Sequence, residues 1–122
     1  MGNWVNSETG SGYWYTMVDK ILLSKAVARI VEKFKPDRII LFGSQARGTA
    51  DERSDADLLV IYRFTGKRRE ILAELYWTLR DSGFAQDIIL MTPEEYESER
   101  QIPGTIARPA SKEGKVLYER SR

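Results

Sequence analysis

Two short apolar runs joined by a polar segment constrain the fold of this chain more than any other feature. The first run, Ile39 to Phe42, leads directly into Gly43. The second run, Leu58 to Ile61, follows the acidic residues Asp55 and Asp57. Runs of this length predict two buried strands, the first ending in a tight turn that opens a short helix. The pattern therefore predicts that the turn at Gly43, which can approach a ligand closely, faces the carboxylates of Asp55 and Asp57.

The turn after the first strand has the residue types of a phosphate-binding turn. Gly43 lets the backbone turn sharply, Ser44 adds a hydroxyl, and the free N–H groups at a helix start attract anions such as phosphate. Arg47 follows on the same short helix. It can either reach a polyphosphate or fix the loop through Asp51 or Glu52, and both interpretations stay open.

The two aspartates have the spacing of a cation site. Asp55 and Asp57 stand two residues apart at the start of a strand, where side chains alternate between faces, so their carboxylates point the same way. A divalent cation relieves the repulsion between them, and Mg²⁺ commonly takes one or two carboxylates together with water and phosphate oxygens. The rival interpretation is an ordinary strand-to-helix turn followed by a solvated acidic loop.

The combined motif resembles a known superfamily. Gly43-Ser44, ten intervening residues and then Asp55-x-Asp57 are similar to the signature of nucleotidyltransferases with the DNA polymerase β type of core. The fuller wording, Gly-Ser-x-Ala-Arg-Gly and then Ser-Asp-x-Asp-Leu-Leu-Val, resembles the minimal nucleotidyltransferases of prokaryotes, the small partners of HEPN-domain proteins. The resemblance covers the chain from about Met17 onward. It implies an α+β nucleotidyltransferase fold, a small mixed sheet with helices packed mainly on one face.

A third carboxylate opens the next predicted strand, Gln86 to Met91. Asp87 precedes four apolar residues there, and a charged side chain in such a position is costly to bury without a partner. If this strand pairs beside that of Asp55 and Asp57, Asp87 joins the same acidic face; otherwise it is a surface residue at a strand end. By resemblance, Asp87 is the carboxylate that in active members helps to bind the catalytic metal and takes the proton from the attacking hydroxyl.

The resemblance also implies a reaction and a partner. Two Mg²⁺ ions, with Mn²⁺ as an alternative, would lie among Asp55, Asp57 and Asp87, while Gly43, Ser44 and Arg47 would hold the phosphates of ATP. We expect transfer of AMP to a hydroxyl group, on a partner HEPN toxin protein, with this chain acting as the antitoxin. The alternative is a binding module that neutralises its partner by masking it without catalysis.

A weaker third possibility is transfer to a small molecule such as an aminoglycoside, or to an RNA end. Nineteen basic and eighteen acidic residues leave a net charge of +1, so we do not expect nucleic acid as a partner. The 122 residues suffice for one domain and leave no room for a separate acceptor-binding domain. Self-association remains open.

Two absences from the composition narrow the chemistry. The chain contains no cysteine and no histidine, so disulfides and thiol catalysis are excluded, and acid–base and metal work must fall to Asp and Glu. No apolar run approaches the length that spans a bilayer, and the start shows no secretory signal. We therefore expect a cytoplasmic protein without a membrane partner.

The first 16 residues differ from the rest of the chain. They contain three glycines and several aromatic residues without a helical or strand period. We expect residues 1–16 to be a flexible tail and residues 17–122 to form a single nucleotidyltransferase domain. The alternative is an arm that packs its aromatic side chains on a partner.

Helical periodicity predicts two long helices, over residues 17–35 and 68–82. Pro36 disfavours helical geometry at the residue before it, and Gly83 is a usual residue just past a helix end. The basic run Lys67-Arg68-Arg69 opposes the helix dipole at the start of the second helix. This misfit indicates either an anionic neighbour or a solvated cluster.

The last third of the chain predicts three further elements. Thr92, Pro93 and Glu95 have the spacing of a capping box with proline in the first helical position, so we expect the glutamate to serve the helix and not a metal. A short helix near residues 105–113 and an edge strand over residues 115–119 follow.

Overall fold

The computed structural model describes residues 20–43, 46 and 55–121 of the chain. The expected tail, residues 1–16, lies outside these ranges. The described part contains the following elements: α1 (Lys20–Phe34), β1 (Arg38–Phe42), β2 (Ala56–Ile61), α2 (Arg68–Thr78), β3 (Gln86–Met91), α3 (Pro93–Glu99), α4 (Ala107–Glu113) and β4 (Lys115–Glu119).

The four strands form one mixed sheet in the order β3-β2-β1-β4. β1 is antiparallel to both β2 and β4, whereas β2 and β3 are parallel and joined through α2. The edge position expected for β4 is confirmed, and β1 lies between β2 and β4. Because β1 ends where β2 and β3 begin, the turn at Gly43 and the acidic residues lie at the same end of the sheet.

Each face of the sheet is covered by a pair of helices. The longer helices α1 and α2 cover one face with a core in which Ile30 and Leu75 are fully buried. The two seven-residue helices α3 and α4 cover the other face, where Tyr96 and Ala107 pack against Leu59. The α+β class with a small mixed sheet is therefore confirmed, with the larger share of helix on the α1–α2 face. Within the described ranges, no helix combines the length and apolar character that crossing a bilayer requires.

Helix α2 ends four residues earlier than its periodicity predicts, at Thr78 and not at Ser82. The Leu79 N–H is shared between the carbonyls of Leu75 and Tyr76, and the Arg80 N–H bonds to the carbonyl three residues back, so the last turn tightens. The Ser82 hydroxyl instead donates to the Phe84 carbonyl at 3.1 Å, so it fixes the loop that leads to β3. The apolar pattern continues past the helix because Leu79 still faces the core.

Arg68, one of the basic residues at the start of α2, has a protein carboxylate as its anionic neighbour. The Arg68 guanidinium donates to both carboxylate oxygens of Glu95, at 2.6 and 3.2 Å, and to the carbonyl of Leu90 at 3.3 Å. It also lies over the Phe64 ring, 5.2 Å from the centroid. Arg68 thus joins α2, β3 and α3, and its own position at the start of the helix needs no bound ligand to explain it.

The capping box predicted for α3 is confirmed. The Thr92 hydroxyl accepts from the Glu95 backbone N–H at 3.1 Å, and the Glu95 carboxylate accepts from the Thr92 backbone N–H at 2.9 Å. Pro93 occupies the first helical position. Glu95 therefore caps its own helix while it pairs with Arg68, which agrees with the expectation that this glutamate serves the helix.

We predict that Thr92→Ala destabilises the protein by about 1 kcal/mol, because the Glu95 N–H loses its acceptor at the start of α3. The free energy of unfolding, measured by urea denaturation, checks this value. Thr92→Ser keeps the hydroxyl and serves as the matched control. A serine variant as unstable as the alanine variant would show that the cap is not the cause.

Candidate functional site

Gly43, the residue directly after β1, lies against one of the predicted carboxylates. Gly43 has φ +75°, in the left-handed region that favours glycine. A Cβ built on Gly43 would lie 2.2 Å from Oδ2 of Asp57, far inside van der Waals contact. The residue type at position 43 is thus dictated both by backbone conformation and by the carboxylate that occupies the space of a side chain.

Sheet register brings the second and third predicted carboxylates side by side. Asp57 is the pairing partner of Asp87 in the parallel β2–β3 ladder, and of Phe42 in the antiparallel β1–β2 ladder. Neighbouring strands are about 4.8 Å apart, and residues in register share a face. Both aspartates therefore lie on the sheet face that α3 and α4 cover further along. The strand of Asp87 thus pairs beside that of Asp57, which is the condition under which Asp87 shares the acidic face.

Asp55 completes the acidic edge. It stands two residues before Asp57, exposed, immediately ahead of β2. The alternation of side chains along an extended chain directs it to the same side as Asp57. Like charges directly opposite one another on neighbouring strands are destabilising, so this edge is better explained by a charged ligand than by stability.

One tyrosine on α2 reaches this edge from the opposite layer. The Tyr76 hydroxyl accepts from the Ile88 backbone N–H at 2.8 Å and donates to Oδ1 of Asp87 at 3.3 Å. Burial raises the pKa of the Tyr76 hydroxyl, the bond from Ile88 opposes that rise, and the charges of Asp87 and Asp55 add to it. The phenol therefore stays protonated at neutral pH and keeps its proton for Asp87.

The carboxylates suit a hard divalent cation by their chemistry and their shared face. Mg²⁺ typically takes one or two protein carboxylates and completes its shell with water and phosphate oxygens. Asp57 and Asp87, in register on adjacent strands, provide such a pair, with Asp55 at the rim. Among the residues that the structure describes, no three metal-binding side chains are already gathered closely enough to hold an ion by themselves. The donor set thus fits an ion whose shell is shared with a substrate.

The predicted site residues divide into two groups. Gly43, Asp57 and Asp87 are brought together at one end of the sheet, with Asp55 beside them. Ser44 and Arg47 lie outside the described residues. Their predicted contact with phosphate therefore stays a prediction.

The sequence interpretation missed Tyr76. Its position in α2 matches the apolar spacing of the helix, which by itself indicates a core residue. A weak signal existed, because a buried tyrosine usually finds a hydrogen-bond partner for its hydroxyl. The identity of that partner depended on how α2 crosses the edge of β3, which no spacing in the sequence reveals.

Segments of the chain are similar to two proteins of Methanocaldococcus jannaschii. One is "Putative protein adenylyltransferase MJ1305", 52% identical over 50 residues, which are 39% of this chain and 34% of that protein. The other is "Putative protein adenylyltransferase MJ0141", 58% identical over 31 residues, which are 25% of this chain and 31% of that protein. The matched segments therefore span about a third of the length of these relatives.

Two solved structures share the fold. The crystal structure of a "putative nucleotidyltransferase from Sulfolobus solfataricus" has a TM-score of 0.53 at 20% identity, covering 81% of this chain and 78% of that one. A chain from a "toxin-antitoxin with AMP-PNP" crystal structure has a TM-score of 0.52 at 22% identity, covering 80% of this chain and 74% of that one. At these identities the likeness shows a common architecture.

The family comparison covers both the predicted phosphate turn and all three carboxylates. A model of the family described as "Nucleotidyltransferase domain" matches residues 23–112, which run from the first turn of α1 to the last turn of α4. The arrangement of Gly43, Asp57 and Asp87 at one end of a mixed sheet agrees with that assignment. The chain belongs to the nucleotidyltransferase domain family.

Proposed function

We propose that this protein transfers AMP from ATP to a hydroxyl group on a partner protein, a HEPN toxin that it thereby neutralises. The observation that carries the proposal is the contact between Gly43 and Asp57, together with the register of Asp57 and Asp87. A turn suited to phosphate and a pair of carboxylates suited to Mg²⁺ then face the same ligand. A nucleoside triphosphate with its metal ions has this combination of charges.

The chemistry proposed is in-line displacement at the α-phosphorus. The acceptor oxygen forms a bond to this phosphorus while the bond to the bridging oxygen of the β-phosphate breaks, so pyrophosphate leaves with that electron pair. Asp87 accepts the proton of the acceptor hydroxyl. Asp55, Asp57 and Asp87 would hold two Mg²⁺ ions, which supply charge neutralisation for the nucleophile and the leaving group.

The remaining roles fall to the turn after β1. The backbone of Gly43 and the hydroxyl of Ser44 would orient the β- and γ-phosphates, with Arg47 as a further phosphate contact. Protein groups need not form covalent bonds to the substrate in phosphoryl transfer, since positioning and electrostatic stabilisation supply most of the rate acceleration. A chain without histidine or cysteine is therefore adequate for this reaction.

The comparisons support the choice of AMP and of a protein acceptor. Both relatives from M. jannaschii are named as protein adenylyltransferases, and one structural neighbour is a toxin–antitoxin with an ATP analogue. The choice of a HEPN protein as the partner rests on the sequence motifs around Gly43 and Asp55, which resemble those of minimal nucleotidyltransferases. A partner would also serve the chemistry, because its surface would cover the exposed acidic edge and exclude water from the α-phosphate.

Exposed apolar side chains favour a second function, masking of the partner without catalysis. Among the described residues, Trp77 and Val116 are 62% and 54% exposed. A module that binds its partner through such a surface would not need the aspartates. The two functions make opposite predictions for variants of the aspartates.

We predict that Asp55→Asn/Asp57→Asn lowers AMP transfer to the HEPN partner at least about 100-fold, since the charge that attracts the metal ions is removed. The measurement is incorporation of label from α-³²P-ATP with Mg²⁺. The control is Asp81→Asn/Glu94→Gln, which also removes two negative charges, here from exposed ion pairs with Arg29 and Arg63. If the aspartate double variant still transfers AMP at the control rate, the catalytic proposal is wrong; equal neutralisation of the partner by both variants supports masking.

We predict that Gly43→Ala reduces AMP transfer at least about 100-fold, because its Cβ must displace the Asp57 carboxylate and a shift of about 1 Å suffices for such a loss. Gly66→Ala is the matched control. Gly66 also has positive φ, at +92°, but a Cβ there meets nothing within 4 Å. Both variants should lose about 1 kcal/mol of stability from backbone strain, and only the first should lose activity. Equal activities would contradict a role for Asp57.

A further inference from the structure

We propose that Tyr76 is a positioning residue, whose hydroxyl holds the Asp87 carboxylate and the backbone at the start of β3 in one fixed arrangement. The inference rests on the proposed function, in which Asp87 binds metal and accepts a proton. It assigns a role to a residue on α2, a helix that contributes no residue to the predicted motif.

The first step concerns the exposed edge of the sheet. Among the described strands β3 is the last on its side of the sheet, so every second residue of β3 directs its backbone groups away from any of these strands. The Met91 carbonyl points inward, since it accepts from the Tyr62 N–H at 2.9 Å. Backbone groups alternate in direction along a strand. The N–H and C=O groups of Ile88 and Leu90, which are three residues and one residue before Met91, therefore point away from β2. Side chains of α2 bind one group of each residue. The Tyr76 hydroxyl accepts from the Ile88 N–H, and the Arg68 guanidinium donates to the Leu90 carbonyl.

The second step concerns the single proton of the phenol. The short bond from Ile88, at 2.8 Å, uses the hydroxyl oxygen as an acceptor. The O–H proton is then directed elsewhere, and Oδ1 of Asp87 lies 3.3 Å away. Covering the edge requires only the first bond. The second bond reaches the neighbouring residue's side chain and leaves the other carboxylate oxygen of Asp87 for a ligand.

The third step concerns the rigidity of the support. Tyr76 stands beside Leu75 in α2, and Leu75 is fully buried in the core between this helix and the sheet. The other end of α2 is tied to β3 and α3 through Arg68. The hydroxyl therefore has a fixed position relative to β3. Groups that orient a metal-binding carboxylate in this way commonly change metal affinity or activity 10–100-fold when removed.

Tyr76→Phe tests the role, with Tyr62→Phe as the matched control. Tyr62 packs its ring against Phe34 and Phe64, and both substitutions delete only a hydroxyl. Mn²⁺ affinity of the full chain, followed by the electron paramagnetic resonance of the free ion, is expected to fall about 10-fold in Tyr76→Phe and less than about twofold in Tyr62→Phe. In the AMP transfer assay, kcat should fall in Tyr76→Phe while KM for the protein acceptor stays unchanged.

A double-mutant cycle shows whether Tyr76 acts through Asp87. In an Asp87→Asn background, adding Tyr76→Phe should weaken Mn²⁺ binding no further, because the carboxylate that it positions is already gone. A second loss of the same size would overturn the proposal in favour of a general effect on the fold. Equal Mn²⁺ affinities of Tyr76→Phe and Tyr62→Phe would overturn it as well.

A measurement on the unaltered protein keeps the proposal testable if Tyr76→Phe is unstable. With ¹³Cζ-labelled tyrosine, Mg²⁺ should shift the NMR signal of Tyr76 and leave that of Tyr62 in place. An unmoved Tyr76 signal would overturn the proposal, as would AMP attached to Tyr76 itself, which would make this hydroxyl an acceptor.

The outcomes separate this inference from the proposed function. Mn²⁺ binding that depends on Tyr76, without AMP transfer to a HEPN partner, would refute the proposed function and support the positioning role. AMP transfer with equal kcat and Mn²⁺ affinity in both phenylalanine variants would refute the positioning role alone. An unaltered chain that binds no Mn²⁺ would refute both.

Discussion

The parallel pairing of β2 with β3 is the constraint on which the site depends. It sets Asp57 and Asp87 in register, so two negative charges lie on one face about one strand spacing apart. This arrangement is unfavourable by itself, because like charges directly opposite each other destabilise a sheet. A sheet that retains such a pair needs firm support from its surroundings, and a cationic ligand would relieve the repulsion.

That support comes from α2 and from the buried interior of the sheet. Leu58, Val60, Ile88 and Leu90 alternate toward the core beneath α1 and α2, so a slip of one residue in register would expose all of them. Arg68 joins the start of α2 to the end of β3 and to Glu95. The hydrophobic core fixes the register, and the register determines which acidic residues meet.

Much of this arrangement could be predicted from local pattern. Apolar runs identify the strands, the Thr92–Glu95 spacing identifies a capping box, and Gly43 marks a turn after a strand. The end of α2, the partner of Arg68 and the bond of Tyr76 could not be predicted, since each depends on residues distant in the chain. Leu79 suits either a helix or a turn when it faces the core, so periodicity alone overextends α2 to Ser82. The metal-binding and phosphate-binding roles of the predicted residues remain predictions.

The sequence by itself determined which groups are available: carboxylates, a glycine after a strand, and neither histidine nor cysteine to offer another chemistry. Alternation along a strand was enough to put Asp55 and Asp57 on one side, because that is a property of the extended backbone. Only the tertiary structure decided that Asp87 stands beside Asp57, that the Asp57 carboxylate fills the space of a side chain at Gly43, and that Tyr76 reaches Asp87. Those contacts follow from strand order and helix crossing, which arise when the whole core packs together.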